Sequence, residues 1–125
     1  MATSLFEMFR TKTEGRSSNG PFHFGNAHNI LHLYVILGLA KDSAPLKSTN
    51  YNNMEDRYWR TSKMVPWIAN FMAVLFKSNS DEYYIAFYFN EKLTTITLND
   101  GSKCEKCRWA DIQNLFMTYI RDNQC

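Results

Sequence analysis

Two kinds of hydrophobic pattern run along the chain. Apolar residues at helical spacing predict helices at 4–14, 27–39 and 108–122. Apolar or strand-forming runs separated by turn residues predict a three-strand meander at 68–98, with strands at 68–76, 82–89 and 93–98. Phe22-His23-Phe24 predicts one further short strand ahead of the second helix. The pattern therefore indicates an α/β fold, in which a strand-helix unit is followed by the meander and a closing helix.

The junction between the predicted strand at 22–24 and the helix that follows it is a candidate position for a functional site. Gly25 lets the backbone turn sharply there, and the helical run begins at about Ala27. In open α/β folds, ligands tend to bind where a strand ends and a helix begins, because helix N-terminal amides favour anions. The segment Gly25-Asn26-Ala27-His28 occupies this position.

A long connection follows the second helix. Residues 41–63 contain Pro45, many Asn and Ser residues and no sustained period. Arg57, Arg60 and Lys63 form a spaced basic group within it. This group could bind a polyphosphate, or it could simply lie in a solvated loop, and the residues alone leave both interpretations open.

Length and composition narrow the range of functions. A chain of 125 residues predicts a single folding unit over 1–125, and 45% hydrophobic and 15% aromatic residues indicate a packed core. The formal charge is +2, and positive and negative residues are interspersed along the chain, so the sequence predicts no basic surface for nucleic acid. The longest apolar run, Leu33–Ala40, is too short for membrane insertion, and the first residues predict no signal peptide.

Three cysteines allow several interpretations. Cys104 and Cys107 form a Cys-x-x-Cys, and Cys125 is the last residue. A structural zinc site would need four ligands, and no second pair lies nearby. A redox dithiol would normally open a helix after a strand, whereas this pair follows a turn late in the chain. A structural disulfide that joins Cys104 or Cys107 to Cys125 is the interpretation we favour.

The histidines raise the question of a metal. His28 and His32 are four residues apart and share one face of the predicted helix, a spacing that can hold a metal ion. A third ligand is missing, because His23 lies on the preceding strand and no Glu separates the pair. We therefore predict no metal and no cofactor, and expect ordinary, partly buried histidines.

A series of short landmarks resembles a known family. They follow one another in the order Gly25-Asn26-Ala27-His28-Asn29-Ile30-Leu31, Leu37-Gly38-Leu39-Ala40-Lys41-Asp42, Pro45-Leu46, Arg60-Thr61-Ser62-Lys63-Met64-Val65-Pro66, Ala69-Asn70 and Asn90-Glu91-Lys92. Together they resemble the C-terminal part of multiple inositol polyphosphate phosphatase, a branch of the histidine acid phosphatases. The resemblance implies a portion of a three-layer histidine-phosphatase (phosphoglycerate-mutase-like) domain.

The resemblance also implies a chemistry, from which this sequence departs twice. The family hydrolyses phosphomonoesters through a histidine nucleophile in Arg-His-Gly, with a later His-Ala-Glu that supplies a phosphate-binding histidine and the proton donor. No Arg-His-Gly occurs in this sequence, and His-Ala-Glu reads Asn26-Ala27-His28. Asn26 can still hydrogen-bond a phosphate oxygen and His28 can donate a proton when charged, but the nucleophile is absent. The degenerate motif positions Asn26 and His28, with Arg60 and Lys63 as phosphate-binding residues, form the predicted site.

Two classes of function follow from these observations. One is a phosphatase-family chain, inactive by itself, whose relatives act on inositol phosphates or other phosphomonoesters. The other is a non-catalytic module that binds phosphate or another protein. Self-association through the sheet edge left open by missing strands is a further expectation. The family is commonly secreted or held in the endoplasmic reticulum, and the sequence leaves the compartment undetermined.

Overall fold

The computed structural model of the protein describes residues 2–16 and 20–123. Within these ranges the helices are α1 (Ala2–Thr13), α2 (Ala27–Ile36), α3 (Thr61–Met64) and α4 (Trp109–Asp122), with a 3-10 turn at Tyr51–Asn53. The strands are β1 (Phe71–Lys77), β2 (Tyr83–Phe89), β3 (Lys92–Leu93), β4 (Ile96–Thr97), β5 (Lys103–Cys104) and β6 (Lys106–Arg108). The architecture is therefore mixed α/β, as predicted, and the described strands that pair do so in antiparallel fashion.

Strand β2 is the centre of the main sheet. It pairs with β1 along its whole length, from Phe71 opposite Phe89 to Lys77 opposite Tyr83. The predicted hairpin between these two runs is confirmed, and aromatic residues that pack across the strands stabilise it. Along its other side, β2 pairs with β3 at one end and with β6 at the other.

The third strand of the predicted meander is broken in two. Asn90 and Glu91 form a tight turn with positive φ angles of 48° and 66°, and β3 then pairs with β2 over two residues only. Strand β6 occupies the other part of this side of β2, so the chain leaves the sheet after β3. Strand β4 pairs with β5 in a separate two-stranded sheet. A continuous strand over 93–98 was therefore wrong.

Two further expectations need correction. Residues 21–26 have no regular secondary structure, and Phe22 and Phe24 are 91% and 98% exposed, so the predicted strand at 22–24 does not form. Three residues without a neighbouring strand cannot satisfy their backbone groups in a sheet. Ile68, the predicted first residue of the meander, lies instead in a turn with φ 62°, closed by a hydrogen bond from Ala69 N–H to Pro66 O.

Helix α2 ends at a glycine, earlier than the hydrophobic pattern predicts. Gly38 has φ 64°, in the left-handed region that glycine adopts without a steric penalty. The N–H of Gly38 donates to Val35 O and that of Leu39 donates to Tyr34 O, the paired bonds that close a helix C-terminus. The helix therefore stops at Ile36, and the long connection starts from a fixed point.

A hydrophobic core joins the main sheet to α1, α2 and α4. Phe87, Phe116 and Ile112 are fully buried within it. The ring of Trp109 lies 6.0 Å from that of Phe6, so the start of α4 packs against α1. The buried members of the cluster are Ala2, Phe6, Phe9, Leu33, Ile36, Leu37, Ile85, Phe87, Phe89, Ile96, Cys107, Trp109, Ile112 and Phe116.

Candidate functional site

The first part of the candidate site is the N-terminus of α2. Asn26 is the N-cap residue, with extended backbone angles. Its N–H donates to Asn29 Oδ1 at 3.4 Å, and the N–H of Asn29 donates to Asn26 O at 3.0 Å. A Cβ at position 25 would lie 3.0 Å from Asn29 Cγ, so Gly25 leaves room for the side chain that closes this turn. The segment Gly25–Asn29 thus builds a small capped helix start.

The side chains at this helix start face solvent. Asn26 and His28 are both exposed, and so are His23 and His32. The expectation of partly buried histidines was therefore wrong, because the side of α2 that packs against the core is the one with Ile30, Leu33 and Ile36, and the histidines lie outside it. The exposed amide of Asn26 and imidazole of His28 can contact an anion from solution. The first backbone N–H groups of the helix also point towards its N-terminal end and favour an anion there.

The second part of the site is the short helix α3 and the residue before it. Arg60 is the N-cap of α3, and its Nη1 donates to Glu55 O at 3.3 Å. Its Nε is buried and has no hydrogen-bond partner among the described residues. Lys63, in the last turn of α3, is exposed. A buried guanidinium N–H without an acceptor lowers stability, because it has lost its hydrogen bonds to water.

Specific polar bonds hold the long connection in place. Asp42 Oδ1 accepts the N–H of Tyr58 at 2.6 Å and Asp42 Oδ2 accepts the N–H of Trp59 at 3.0 Å. These bonds hold the end of the connection next to its beginning, shortly after α2. Because Arg60 follows directly, Asp42 fixes where its backbone lies. Sequence reasoning missed this bond, although Asp42 stands in one of the landmarks.

Asn90 holds α3 from the other side. Its Nδ2 donates to Met64 O at 3.0 Å, its Oδ1 accepts the N–H of Asn70 at 3.1 Å, and its N–H donates to Asn70 O at 2.9 Å. The tight turn between β2 and β3 therefore binds the segment that follows α3. Two of the family landmarks, Ala69-Asn70 and Asn90-Glu91-Lys92, meet at these bonds and serve the architecture of the site.

A cavity of about 590 Å³ lies between the end of α2 and the connection. Its lining includes the apolar residues Leu46 and Trp59, and its charged members are Lys41, Asp42 and Arg57. The hydrophobic pattern does not predict this cavity, because the cavity forms only where the connection folds back towards α2.

None of the four predicted site residues lines this cavity or the second one, of about 240 Å³, beside α4. Asn26 and His28 stand at the opposite end of α2, a helix of ten residues and thus about 15 Å long. Asn26 and His28 therefore lie at the start of α2, whereas Arg60 and Lys63 belong to α3 and its N-cap.

The cysteine pairing differs from the prediction. Cys104 and Cys107 form a disulfide with a Cα–Cα distance of 5.3 Å. A bond from either of them to Cys125 was therefore wrong, and Cys125 itself lies outside the described residues. The spacing of the Cys-x-x-Cys suits a local bridge because β5 and β6 follow one another with one residue between them.

Metal and membrane features can be stated for the described residues. In 2–16 and 20–123, no group of three or more His, Cys, Asp or Glu side chains is placed to hold a metal ion. Among the helices of these same ranges, none combines the length and the apolar character needed to cross a bilayer.

Comparison with curated proteins shows what the chain is similar to. It is 30% identical over 105 residues to multiple inositol polyphosphate phosphatase 1 of Drosophila melanogaster, covering 82% of this chain and 22% of that protein. It is 33% identical over 72 residues to the protein of that name from Gallus gallus, and 28% identical over 89 residues to the one from Homo sapiens. These matches cover 54% and 67% of this chain, and 16% and 18% of the two relatives. No family model matches the chain, and no solved structure matches it.

The matches confirm the predicted resemblance. The chain is related in sequence to phosphatases. More particularly, its relatives are multiple inositol polyphosphate phosphatases, of which it spans about a fifth of the length.

Proposed function

We propose that this chain is a phosphatase-like polypeptide that does not hydrolyse phosphomonoesters by itself. This proposal rests on one observation: a sequence related to inositol polyphosphate phosphatases contains no Arg-His-Gly in its 125 residues. Without an attacking imidazole, the covalent phosphohistidine step cannot start. The activity of the relatives therefore requires groups that these residues do not supply.

The motif at the start of α2 supports the same conclusion. Asn26 stands where the family has its phosphate-binding histidine, and His28 stands where it has its acid. A carboxamide carries no charge to stabilise a phosphoryl group, and an imidazole donates a proton only while it is protonated. Both side chains remain accessible, so the position can still meet a phosphate without performing the chemistry.

We further propose that the chain is a piece of a histidine phosphatase domain. We assign residues 1–125 to the C-terminal part of such a domain, as a single partial unit. The helix that carries Asn26 and His28 packs against the sheet through Leu33 and Ile36, and α4 also contributes to that core. A layered α/β arrangement is what the resemblance implies.

Retained phosphate binding is the second candidate function. The guanidinium of Arg60 at the start of α3 favours it, because an arginine can contact a phosphate group with two N–H groups at once. Lys63 on the next turn would add a second positive charge. In this proposal inositol phosphates bind to a scaffold that has lost the catalytic groups.

Two measurements test the proposal. The purified chain is expected to release no phosphate from inositol hexakisphosphate at acidic or neutral pH, and turnover that disappears in His28→Ala would overturn the first candidate. Calorimetry with inositol hexakisphosphate and with inorganic phosphate tests the second. Saturable binding is expected to weaken about tenfold or more in Arg60→Ala, since a hydrogen bond to a charged group is worth about 1.5–3 kcal/mol.

A matched control separates a site from general attraction to positive charge. Arg121→Ala removes an exposed arginine near the end of α4, where it contacts Asp122. Binding that falls equally in Arg121→Ala and Arg60→Ala would contradict a specific site. A complete lack of heat with either ligand would refute retained binding and leave the first candidate untouched.

A further inference from the structure

The turn between β4 and β5 contains an Asp-Gly sequence, Asp100-Gly101. An aspartate followed by glycine is prone to a spontaneous change in which its side chain takes over the main-chain linkage. Glycine favours this change because it has no side chain to hinder approach to its backbone nitrogen. No other Asp-Gly occurs in the 125 residues. This turn is therefore the position at which an aspartate of the chain is most open to such a modification.

The modification proceeds through a ring. The nitrogen of Gly101 forms a bond to Cγ of Asp100, and the hydroxyl of the carboxylic acid leaves with the amide hydrogen as water. A water molecule then opens the five-membered imide. Where it adds to the main-chain carbonyl of Asp100, the original peptide bond breaks and an isoaspartyl residue results. The first step requires a carboxyl group that can turn towards the nitrogen and that carries a proton, because a carboxylate has no comparable leaving group.

Hydrogen bonds restrain both reacting groups in the folded chain. The N–H of Gly101 donates to Leu98 O at 2.9 Å and closes the turn. The carboxyl group is held on the other side, where Asp100 Oδ1 accepts the hydroxyl of Ser102 at 2.6 Å and its backbone N–H at 2.9 Å. Ring closure requires the glycine peptide to rotate and the carboxyl group to turn towards it. These three bonds therefore oppose the reaction.

The charge of the carboxyl group opposes it as well. The hydroxyl and then the backbone N–H of Ser102 lower the pKa of Asp100 below its ordinary value. A lower pKa leaves a smaller fraction of the protonated acid at any pH above it. Ser102 thus both fixes the position of the carboxyl group and keeps it in the less reactive form.

We propose that Asp100–Gly101 is a site of isoaspartyl formation and that Ser102 holds this reaction back in the folded chain. All of the groups involved belong to residues 98–102, so the restraint is a property of the turn itself. The modification would add one carbon atom to the main chain between β4 and β5. These strands pair through Ile96 opposite Cys104 and Thr97 opposite Lys103, and the longer linkage would disturb that register.

Incubation of the whole chain in neutral buffer tests the proposal, with isoaspartate at position 100 measured by peptide mapping and mass spectrometry. The folded chain is expected to form it about tenfold more slowly than the same chain unfolded in urea, because unfolding releases all three bonds. Ser102→Ala removes the hydroxyl bond and keeps the backbone one, so the rate in the folded variant should rise about threefold. Ser102→Thr retains a hydroxyl and should restore the slow rate.

Two control variants complete the experiment. Ser80→Ala removes the hydroxyl of another exposed turn serine and should leave the rate at position 100 unchanged. Asp100→Glu lengthens the side chain so that the five-membered ring cannot form, and no isoaspartate should appear there. Circular dichroism verifies that each variant folds, and the comparison of folded with unfolded chain needs no variant. Equal rates in the folded and unfolded chain, or in Ser102→Ala and the unchanged chain, would overturn the proposal.

Discussion

Residues 20–70 and residues 71–123 are stabilised in different ways. The second region contributes nine buried residues from the strands and α4: Ile85, Ala86, Phe87, Phe89, Ile96, Cys107, Trp109, Ile112 and Phe116. The first region, with 51 of the 119 described residues, contributes four: Leu33, Ile36, Leu37 and Met64. Most family landmarks and all four predicted site residues lie in the first region. Hydrogen bonds from Asp42 and Asn90 therefore hold the segment that carries Arg60 and Lys63, whereas apolar burial of Leu33 and Ile36 holds the helix that carries Asn26 and His28.

The same substitution in the two regions should have very different effects. Phe87→Ala removes a fully buried ring that lies 5.9 Å from Phe71, and we expect it to lower the free energy of unfolding by about 3–5 kcal/mol. Phe22→Ala removes a ring that is 91% exposed and should change it by about 0.5 kcal/mol or less. Urea unfolding of both variants measures the difference, and similar losses would contradict the division into two regions.

Asp42→Asn should disturb the first region without unfolding the second. An amide can accept only one of the two N–H groups that the carboxylate accepts, so the amides of Tyr58 and Trp59 should exchange with solvent about tenfold faster, equivalent to about 1.4 kcal/mol. Hydrogen exchange followed by NMR measures this. Asp56→Asn, at an exposed carboxylate nearby, is the control. Equal acceleration at Phe87 would show that the connection and the sheet open together.

The smallest change in stability is expected from a substitution in the turn of Asp100 and Ser102, in the second region. The Ser102 hydroxyl and backbone N–H donate to Asp100 Oδ1 at 2.6 and 2.9 Å and hold the pKa of this carboxyl below its ordinary value. A lowered folded pKa contributes stability above the unfolded value of about 3.9, and this contribution is lost as the pH falls through the folded value.

Asp100→Asn should therefore be less stable than the unchanged chain at neutral pH, and the difference should shrink on acidification. Urea midpoints measured between neutral and strongly acidic pH give the comparison. A difference that grows as the pH falls would contradict the assigned sign.

The sequence predicted elements whose own residues determine them. The β1–β2 hairpin followed from strand-forming residues on both sides of a turn, and α4 followed from its apolar period. The failures had tertiary causes. The strand at 22–24 has no partner, and the strand at 93–98 was divided because β6, which comes later in the chain, occupies part of the same side of β2.

The candidate site shows the same limit. A helix start at Asn26 followed from Gly25 and the helical run after it, and the structure confirms α2 from Ala27. Where Arg60 lies could not be predicted, because it depends on Asp42 and Asn90 reaching across 17 and 26 residues of sequence to Trp59 and Met64. Patterns of polarity carry no information on bonds of that kind.

The Cys104–Cys107 bridge has an energetic consequence of its own. It closes a ring with only Glu105 and Lys106 inside. The loss of entropy that so short a ring imposes on the unfolded chain stabilises the folded protein by only about 2 kcal/mol. Its ends, however, belong to strands of different sheets, since β5 pairs with β4 and β6 pairs with β2. Reduction should thus loosen the junction between the two sheets, while the buried Ile96 keeps the small sheet packed on the core. The bridge therefore stabilises one junction and does not decide whether the protein folds.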